Sequence, residues 1–442
     1  QLTVCSRVSK LRNDLIILVE GADMLLPGGD TNSLSWAVLR RIAIMHDWLN
    51  DPAFMHGNDA VLLLTESKSL LHPNVARLPQ LSEVNIPLPN RDDRRLYSQH
   101  VLGREEQVEQ SAGLTLLAYR QVLLAETPAD CVTEKVQEHV CSQLGEDVVE
   151  FKRPSHTLDD VIGYEYLKKF LREELKPRIQ MGGKYAPSGA AVAGPIGGGK
   201  TFSFEAFAAE LDMPVLVLKN LRSQWYGQTD VVFERLKRVL EGLERVAIFV
   251  DEADTQFGGV GQDAHETERR LTGKIQAMMS DPRLRGKVFW LLMTARIEAL
   301  SPDIRRPGRA GDLIIPVLDP EPQDRILFVR WMLEGTDANA NDFVGVTDDF
   351  SAAAYASLRS HIQYLAKVKG KLTTLDVKQA MDDFILPDQG HVRSIQTLQA
   401  LLNCTRKSLI PPTRMPAGYA ITDMHGVRKL WQQELATLEA AR

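Results

Sequence analysis

Gly194-Pro-Ile-Gly-Gly-Gly-Lys-Thr201 and, further along, Val246-Ala-Ile-Phe-Val-Asp-Glu-Ala-Asp254 are the two stretches that decide the fold of this chain. The first has the Gly-x-x-x-x-Gly-Lys-Thr form of a phosphate loop. The second is an apolar run closed by two adjacent carboxylates, Asp251 and Glu252, with Asp251 lying 51 positions after Lys200. Either stretch alone could be a glycine-rich turn or an ordinary strand end. In this order and at this spacing they specify an α/β, P-loop nucleotide-binding fold whose site is expected to bind ATP and hydrolyse it.

The chemistry follows from the residue types. A triphosphate needs donors, and no carboxylate may crowd it. Gly197, Gly198 and Gly199 let the backbone wrap so that successive N–H groups face the phosphates. The segment from Phe202 to Leu211 has helical periodicity, so a helix N-terminus faces them too. Lys200 brings a mobile cation to the β- and γ-phosphates, and Thr201 offers its hydroxyl to Mg²⁺. Gly189-Ala-Ala-Val-Ala193 suits the short buried strand that such a loop must follow. Val246–Val250 reads as a central parallel strand. Asp251 at its end is placed to hold the Mg²⁺ shell, and Glu252 to polarise the attacking water.

Composition bounds the rest. A chain of 442 residues allows about three domains at ~150 residues each. A net charge of −6 argues against a dedicated nucleic-acid binder. The four cysteines, Cys5, Cys131, Cys141 and Cys404, fit neither a disulfide framework nor a zinc site, and free thiols in a reducing, cytoplasmic setting are expected. No apolar run approaches the roughly 18 residues of a membrane span. His265-Glu266 is not a protease motif, because position 269 is Arg.

An internal comparison organises the chain. Ile17-Leu-Val-Glu-Gly-Ala-Asp23 resembles Ile248-Phe-Val-Asp-Glu-Ala-Asp254, at an offset of 231 residues. Three further pairs share an offset of 229: Val61–Ser67 with Trp290–Arg296, Leu71–Arg77 with Leu300–Arg306, and Val84–Pro87 with Leu313–Pro316. The chain therefore holds two copies of one module. The first begins at the carboxylate strand, and its phosphate-loop half would lie upstream of Gln1. Glu20 occupies the place of Asp251, Gly21 that of Glu252, and Gln80 that of Arg309, while Arg77 matches Arg306. The first copy is expected to be structural and not hydrolytic.

These residues resemble the AAA (AAA+) ATPases, over roughly residues 155–386 for the active module. The tandem arrangement is similar to a little-characterised bacterial and plastid group. The resemblance implies a three-layer αβα sandwich with a helical lid, in two tandem modules, the first degenerate and N-terminally incomplete. It divides the chain into a degenerate large subdomain (1–90), its helical lid (91–150), an active large subdomain (151–319), its lid (320–386) and a C-terminal extension (387–442). Thr157-Leu-Asp-Asp-Val-Ile-Gly163 resembles the family's leading segment, so Asp160, Val161, Ile162 and Gly163 would frame the adenine. Phe202, after the loop, and Ala352 and Ala353, in the lid, would complete the nucleotide contacts. Arg305-Arg-Pro-Gly-Arg309 resembles the region that sends arginine fingers to a neighbour's γ-phosphate, which makes Arg306 and Arg309 the fingers.

Lys219-Asn-Leu-Arg-Ser-Gln-Trp-Tyr-Gly-Gln-Thr229 resembles the first pore loop of a ring, with Trp225 and Tyr226 lining the channel. A core tryptophan is the competing reading, but Arg222, Ser223, Gln224, Gly227 and Gln228 around it are polar or small. Gly258-Gly-Val-Gly-Gln262 is a candidate second pore loop. One departure stands out: where the family usually has Thr-Asn, this chain has Thr294-Ala295, and Thr294 is expected to help orient the water. The resemblance implies a homo-oligomer, a hexamer, that spends ATP with Mg²⁺ to remodel, unfold or disassemble a protein client. The alternative is a scaffold that uses ATP as a conformational switch.

Overall fold

Short apolar runs bounded by glycine, proline and charge become the strands of two sheets in the computed structural model, which describes residues 2, 5, 8, 14–29, 33–219, 229–257, 266–306, 308–419 and 422–441. The chain divides into two compact units, residues 1–88 with 227–238 and residues 89–226 with 239–442.

In the first unit, β1 (Ile16–Val19) pairs in parallel with β2 (Ala60–Leu63), Ile17 opposite Val61. Between them run α1 (Ala22–Leu25) and α2 (Trp36–Leu49), and α3 (Pro73–Ala76) follows. Ala22, Leu26, Ile42, Met45, Trp48, Leu49, Leu71 and Val75 form the core. The strands alternate in burial, so only one sheet face meets these helices. A parallel crossover of this kind needs an intervening helix, which α2 supplies.

The second unit begins with α4 (Arg91–Leu102), α5 (Leu116–Leu123) and α6 (Pro128–Leu144), and then β3 (Val149–Lys152). Helices α7 (Glu165–Phe170) and α8 (Lys176–Met181) flank a π-helical turn at Leu171–Leu175. The remaining strands are β4 (Gly189–Ala193), β5 (Val215–Leu218), β6 (Val246–Val250), β7 (Val288–Thr294) and β8 (Ile314–Pro316). Helix α9 (Lys200–Glu210) joins β4 to β5, and α10 (Thr229–Leu243) lies between β5 and β6. The carboxylate strand is followed by α11 (Ala253–Gln256) and α12 (Glu266–Met279). The sheet order is β3-β5-β6-β7-β4-β8, parallel except for β3, which lies antiparallel on β5. Every residue of β4, β6 and β7 is buried, as a parallel sheet covered on both faces requires. Gly189 is forced by its neighbour, since a Cβ there would stand 2.4 Å from the Trp290 carbonyl oxygen.

One boundary differs from the sequence expectation. A division after residue 150 cuts β3, and α4–α6 group with the six-stranded sheet. Arg94 explains the attachment. Its side chain is fully buried, donates to the Pro89 and Val108 carbonyls and pairs with Glu244 at 3.2 Å. Gly113 packs so closely on Leu243 that a Cβ would lie 2.9 Å from the leucine side chain. After β8 come α13 (Pro322–Met332), α14 (Ala352–Lys369) and α15 (Thr374–Asp382), the expected lid. The extension folds as α16 (Gly390–Asn403) and α17 (Met424–Ala440), with Leu398, Ala400, Leu401, Val427 and Trp431 buried.

Candidate nucleotide-binding and hydrolysis site

A cavity of about 1030 Å³ opens where the C-terminal ends of β4, β6 and β7 meet α13, α14 and α16. Its lining includes the loop from Ile196 to Ser203, the carboxylates Asp251 and Glu252, and the lid alanines Ala352, Ala353 and Ala356. Ligands of doubly wound sheets bind at such strand ends.

The loop is built by its glycines. Gly197 and Gly199 have φ of 79° and 76°, left-handed values that L side chains rarely adopt. Gly198 is instead closely approached, its Cβ position 3.2 Å from the Pro195 oxygen. Gly199 caps α9, so the first N–H groups of that helix face the cavity. Lys200 Nζ donates to the carbonyls of Gly194 (3.0 Å) and Pro195 (2.9 Å). Burial pulls its pKa below that of a free lysine, with Asp251 pulling it back up. Beneath the loop, the buried Tyr164 hydroxyl donates to the Gly198 carbonyl at 2.9 Å. His156 stacks on Phe202 with ring centroids 4.2 Å apart, and its Nε2 lies 3.1 Å from the Phe202 carbonyl oxygen.

The carboxylate turn carries a conformational cost. Glu252 has φ 47° and ψ 44° and caps the short α11. A non-glycine residue in this region costs about 1–3 kcal/mol and persists only where its surroundings impose it. Asp251 Oδ1 accepts from the Glu252 N–H at 2.9 Å, and the carbonyls of Asp251 and Glu252 take donors from Gln256 and Thr255. Both acidic side chains are left exposed to the cavity.

Thr294 lines the cavity as expected, but its hydroxyl proton goes to Asp254 Oδ1 at 2.7 Å, and its oxygen accepts the Arg296 N–H at 2.9 Å. A hydroxyl has one proton and two lone pairs, so only the second lone pair is left to meet water. Arg296 closes the triad, Nε to Asp254 Oδ2 at 2.7 Å, while more than half of its side chain stays exposed beside the cavity.

The leading segment is also revised in one position. Asp160, Val161 and Ile162 line the cavity, but Gly163 is absent from its lining. Gly163 has φ 68°, and a Cβ there would come within 2.9 Å of the Asp324 Cβ, so it lets α7 approach the lid. The Asp160 carboxylate accepts from the Thr157 N–H at 2.7 Å and the Thr157 hydroxyl, and these bonds hold its pKa low. From the lid, the Ala353 N–H donates to the Gly197 carbonyl at 3.0 Å.

Arg306 and Arg309 do not line the chain's own cavity. Arg306 is largely exposed and pairs with Asp303 at 3.2 Å. Arg309 donates to Gln276 (2.9 Å), Ser280 (3.3 Å) and the Asp303 carbonyl (2.9 Å). Trp225, Tyr226 and the stretch 258–262 lie outside the described residues.

The sequence reading missed several cavity residues. Phe328 and Trp331, one helical turn apart on α13, form an aromatic stripe that periodicity could have flagged. Val392 and Gln396 come from α16, beyond the lid, where no motif marks them. Thr201 and Asp251 supply a hydroxyl and a carboxylate, hard oxygen donors suited to Mg²⁺. Among the described residues no group of three His, Cys, Asp or Glu converges on a metal position.

Comparison with known proteins places this geometry. Residues 190–316 match the ATPase family associated with various cellular activities (AAA), and residues 2–87 match the AAA+ chaperone, N-terminal Rossmann-like domain. The chain is 29% identical over 219 residues to the cell division cycle protein 48 homolog of Archaeoglobus fulgidus, covering 46% of this chain and 30% of that protein. It is 30% identical over 207 residues to the 26S proteasome regulatory subunit 4 homolog of Oryza sativa subsp. japonica, 44% of this chain and 46% of that one. With the ATP-dependent zinc metalloprotease FtsH of Acidothermus cellulolyticus it shares 29% over 304 residues, 61% of this chain and 45% of that one. The chain thus spans less than half the length of each of these relatives. No helix among the described residues is long and apolar enough to cross a membrane. Residues 190–316 thus carry a domain of the AAA ATPase family, and residues 2–87 an AAA+ chaperone-type N-terminal domain.

Proposed function

We propose that the protein hydrolyses ATP and spends it on remodelling, unfolding or disassembling a protein client, as a ring-shaped hexamer. One observation carries this reading: the phosphate loop, the paired carboxylates and the lid alanines all line one cavity. The loop N–H groups and Lys200 hold the phosphates, and the lysine exchanges its bonds to Gly194 and Pro195 for phosphate oxygens. Thr201 and Asp251 would hold Mg²⁺, which would neutralise phosphate charge. Glu252 orients water and accepts its proton. Arg306, exposed and tied only to Asp303 among the described residues, is free to reach a neighbour's γ-phosphate, with Arg309 behind it. Trp225 and Tyr226 would grip the client. The four free cysteines fit a reducing, cytoplasmic setting.

The names of the relatives, a cell division cycle protein, a proteasome regulatory subunit and a metalloprotease, support the class of work and not the client. A second reading, a scaffold that binds ATP as a switch, is favoured by Thr294. Its hydroxyl is already committed to Asp254, and Ala295 brings no amide. Turnover separates the two. Client-stimulated hydrolysis lost in Glu252→Gln supports the remodeller, whereas tight Mg-ATP binding without appreciable turnover supports the switch.

A further inference from the structure

Helix α16 lies outside the ATPase module, yet it reaches the nucleotide cavity. Gln396 is buried, lines that cavity, and accepts the Ile196 N–H through Oε1 at 3.1 Å. Ile196 is the third residue of the phosphate loop, and its backbone N–H turns toward the extension. No residue of the loop or the lid gives it an acceptor; the glutamine from the extension does.

The seating of α16 is over-determined. One turn before Gln396, Arg393 pairs with Asp319 at 2.7 Å and donates to the Asp349 carbonyl at 2.7 Å. Asp319 sits on the connection from β8 to the lid, and Asp349 lies just before α14. Arg414, further along the extension, pairs at 2.8 Å with Glu321, which is 1% exposed at the start of α13. At the far end of α16, Thr405 accepts the Ile314 N–H at 2.9 Å, and Asn403 bonds Glu298. One segment therefore holds the phosphate loop, both sides of the hinge to the lid, and the edge strand β8. Asp319 also lies close enough to Lys200 for each to act on the other's charge.

We propose that Gln396 is a positioning residue for the nucleotide, and that α16 is a wall of the ATP site which sets the phosphate loop through the Ile196 N–H. The extension thereby reports the hinge to the loop. Removing the acceptor lets the loop tip relax, and the N–H groups no longer converge before the phosphates arrive. This inference rests on the ATP site proposed above.

Two measurements on the full chain test it, with Gln396→Met, which keeps the side-chain length and removes the acceptor. Hydrogen exchange of the peptide spanning 194–201, without nucleotide, is expected to quicken at the Ile196 amide. Mg-ADP and Mg-ATP are expected to bind about tenfold more weakly, as loss of one orienting contact allows. KM for ATP rises by a similar factor, kcat stays within about twofold, and the melting temperature is unchanged. Leu398→Ala, which removes buried packing from the same helix, is expected to lower the melting temperature and leave KM alone. Unchanged exchange or unchanged nucleotide affinity in Gln396→Met overturns the proposal, as does a fall in kcat with KM constant. Failure of the unmutated protein to bind Mg-ATP sinks the ATP reading itself, and the exchange measurement still reports the contact.

Discussion

The turn after β1 and the turn after β6 are one backbone with two chemistries. Gly21 has φ 60° and ψ 45°, Glu252 has φ 47° and ψ 44°, and each caps a four-residue helix. Ile17 pairs with Val61 and Ile248 with Trp290, the same partners that the internal sequence match aligns. The His72 N–H bonds the Leu26 carbonyl at 2.9 Å, and the Ser301 N–H bonds the Phe257 carbonyl at 3.2 Å. Gln80 donates to Leu49 and Asn50 at the end of α2, as Arg309 donates to Gln276 and Ser280 at the end of α12. Packing and register are shared, and the catalytic groups are not. The first unit has a glycine where the left-handed turn prefers one; the ATPase module tolerates the strain and places a carboxylate there.

The largest test of that contrast is at the matched arginines. Arg306→Ala is expected to cut turnover of the assembled protein by about 10³-fold, the scale of a lost arginine finger, with Mg-ATP affinity kept. Arg77→Ala, at the corresponding place in the first unit, should leave turnover within about twofold; equal losses would erase the functional asymmetry. Glu252→Gln comes next, at roughly 10²- to 10³-fold in kcat, with nucleotide binding intact by fluorescence titration. A variant that still turns over at the original rate would remove Glu252 from the chemistry.

Stability gives a finer comparison. Glu252→Gly should make the protein more resistant to denaturant by about 1 kcal/mol while abolishing hydrolysis, and Gly21→Glu should cost about the same. Shifts of the same sign would show that the two turns are not equivalent. The smallest effect concerns Lys200. Because burial lowers its pKa, the folded state holds that proton less tightly than the unfolded chain, so stability rises with pH across lysine's range. Lys200→Met should melt higher than the unmutated protein at neutral pH, and the gap should close as pH rises through that range. A gap independent of pH would mean that the charge is not what burial penalises.

The motif residues were legible because their chemistry is local. Glycines at fixed offsets make the loop, and an apolar run ending in two acids makes the carboxylate strand. The lid was readable only through the family resemblance. Gln396 was not, since its role depends on α16 folding back some 200 positions onto Ile196, and one glutamine carries no signal of that. The bond from the Thr294 hydroxyl to Asp254 was not legible either, since only the sheet brings that partner close. Gly163 was assigned to the ligand when its constraint is the Asp324 side chain. Long-range polar partners decide these cases, and local pattern does not report them.

Strand β3 has a practical consequence for anyone who would isolate the ATPase module. It is the antiparallel cover on the outer edge of β5. A fragment that starts at residue 153 would leave unpaired those N–H and carbonyl groups of β5 that face β3, a template along an apolar rim for other chains to add to. Such a fragment should aggregate, whereas one that starts at Pro89 keeps the rim sealed and the buried Arg94 anchored. Four residues, Val149–Lys152, are what keep neighbouring molecules from joining the sheet.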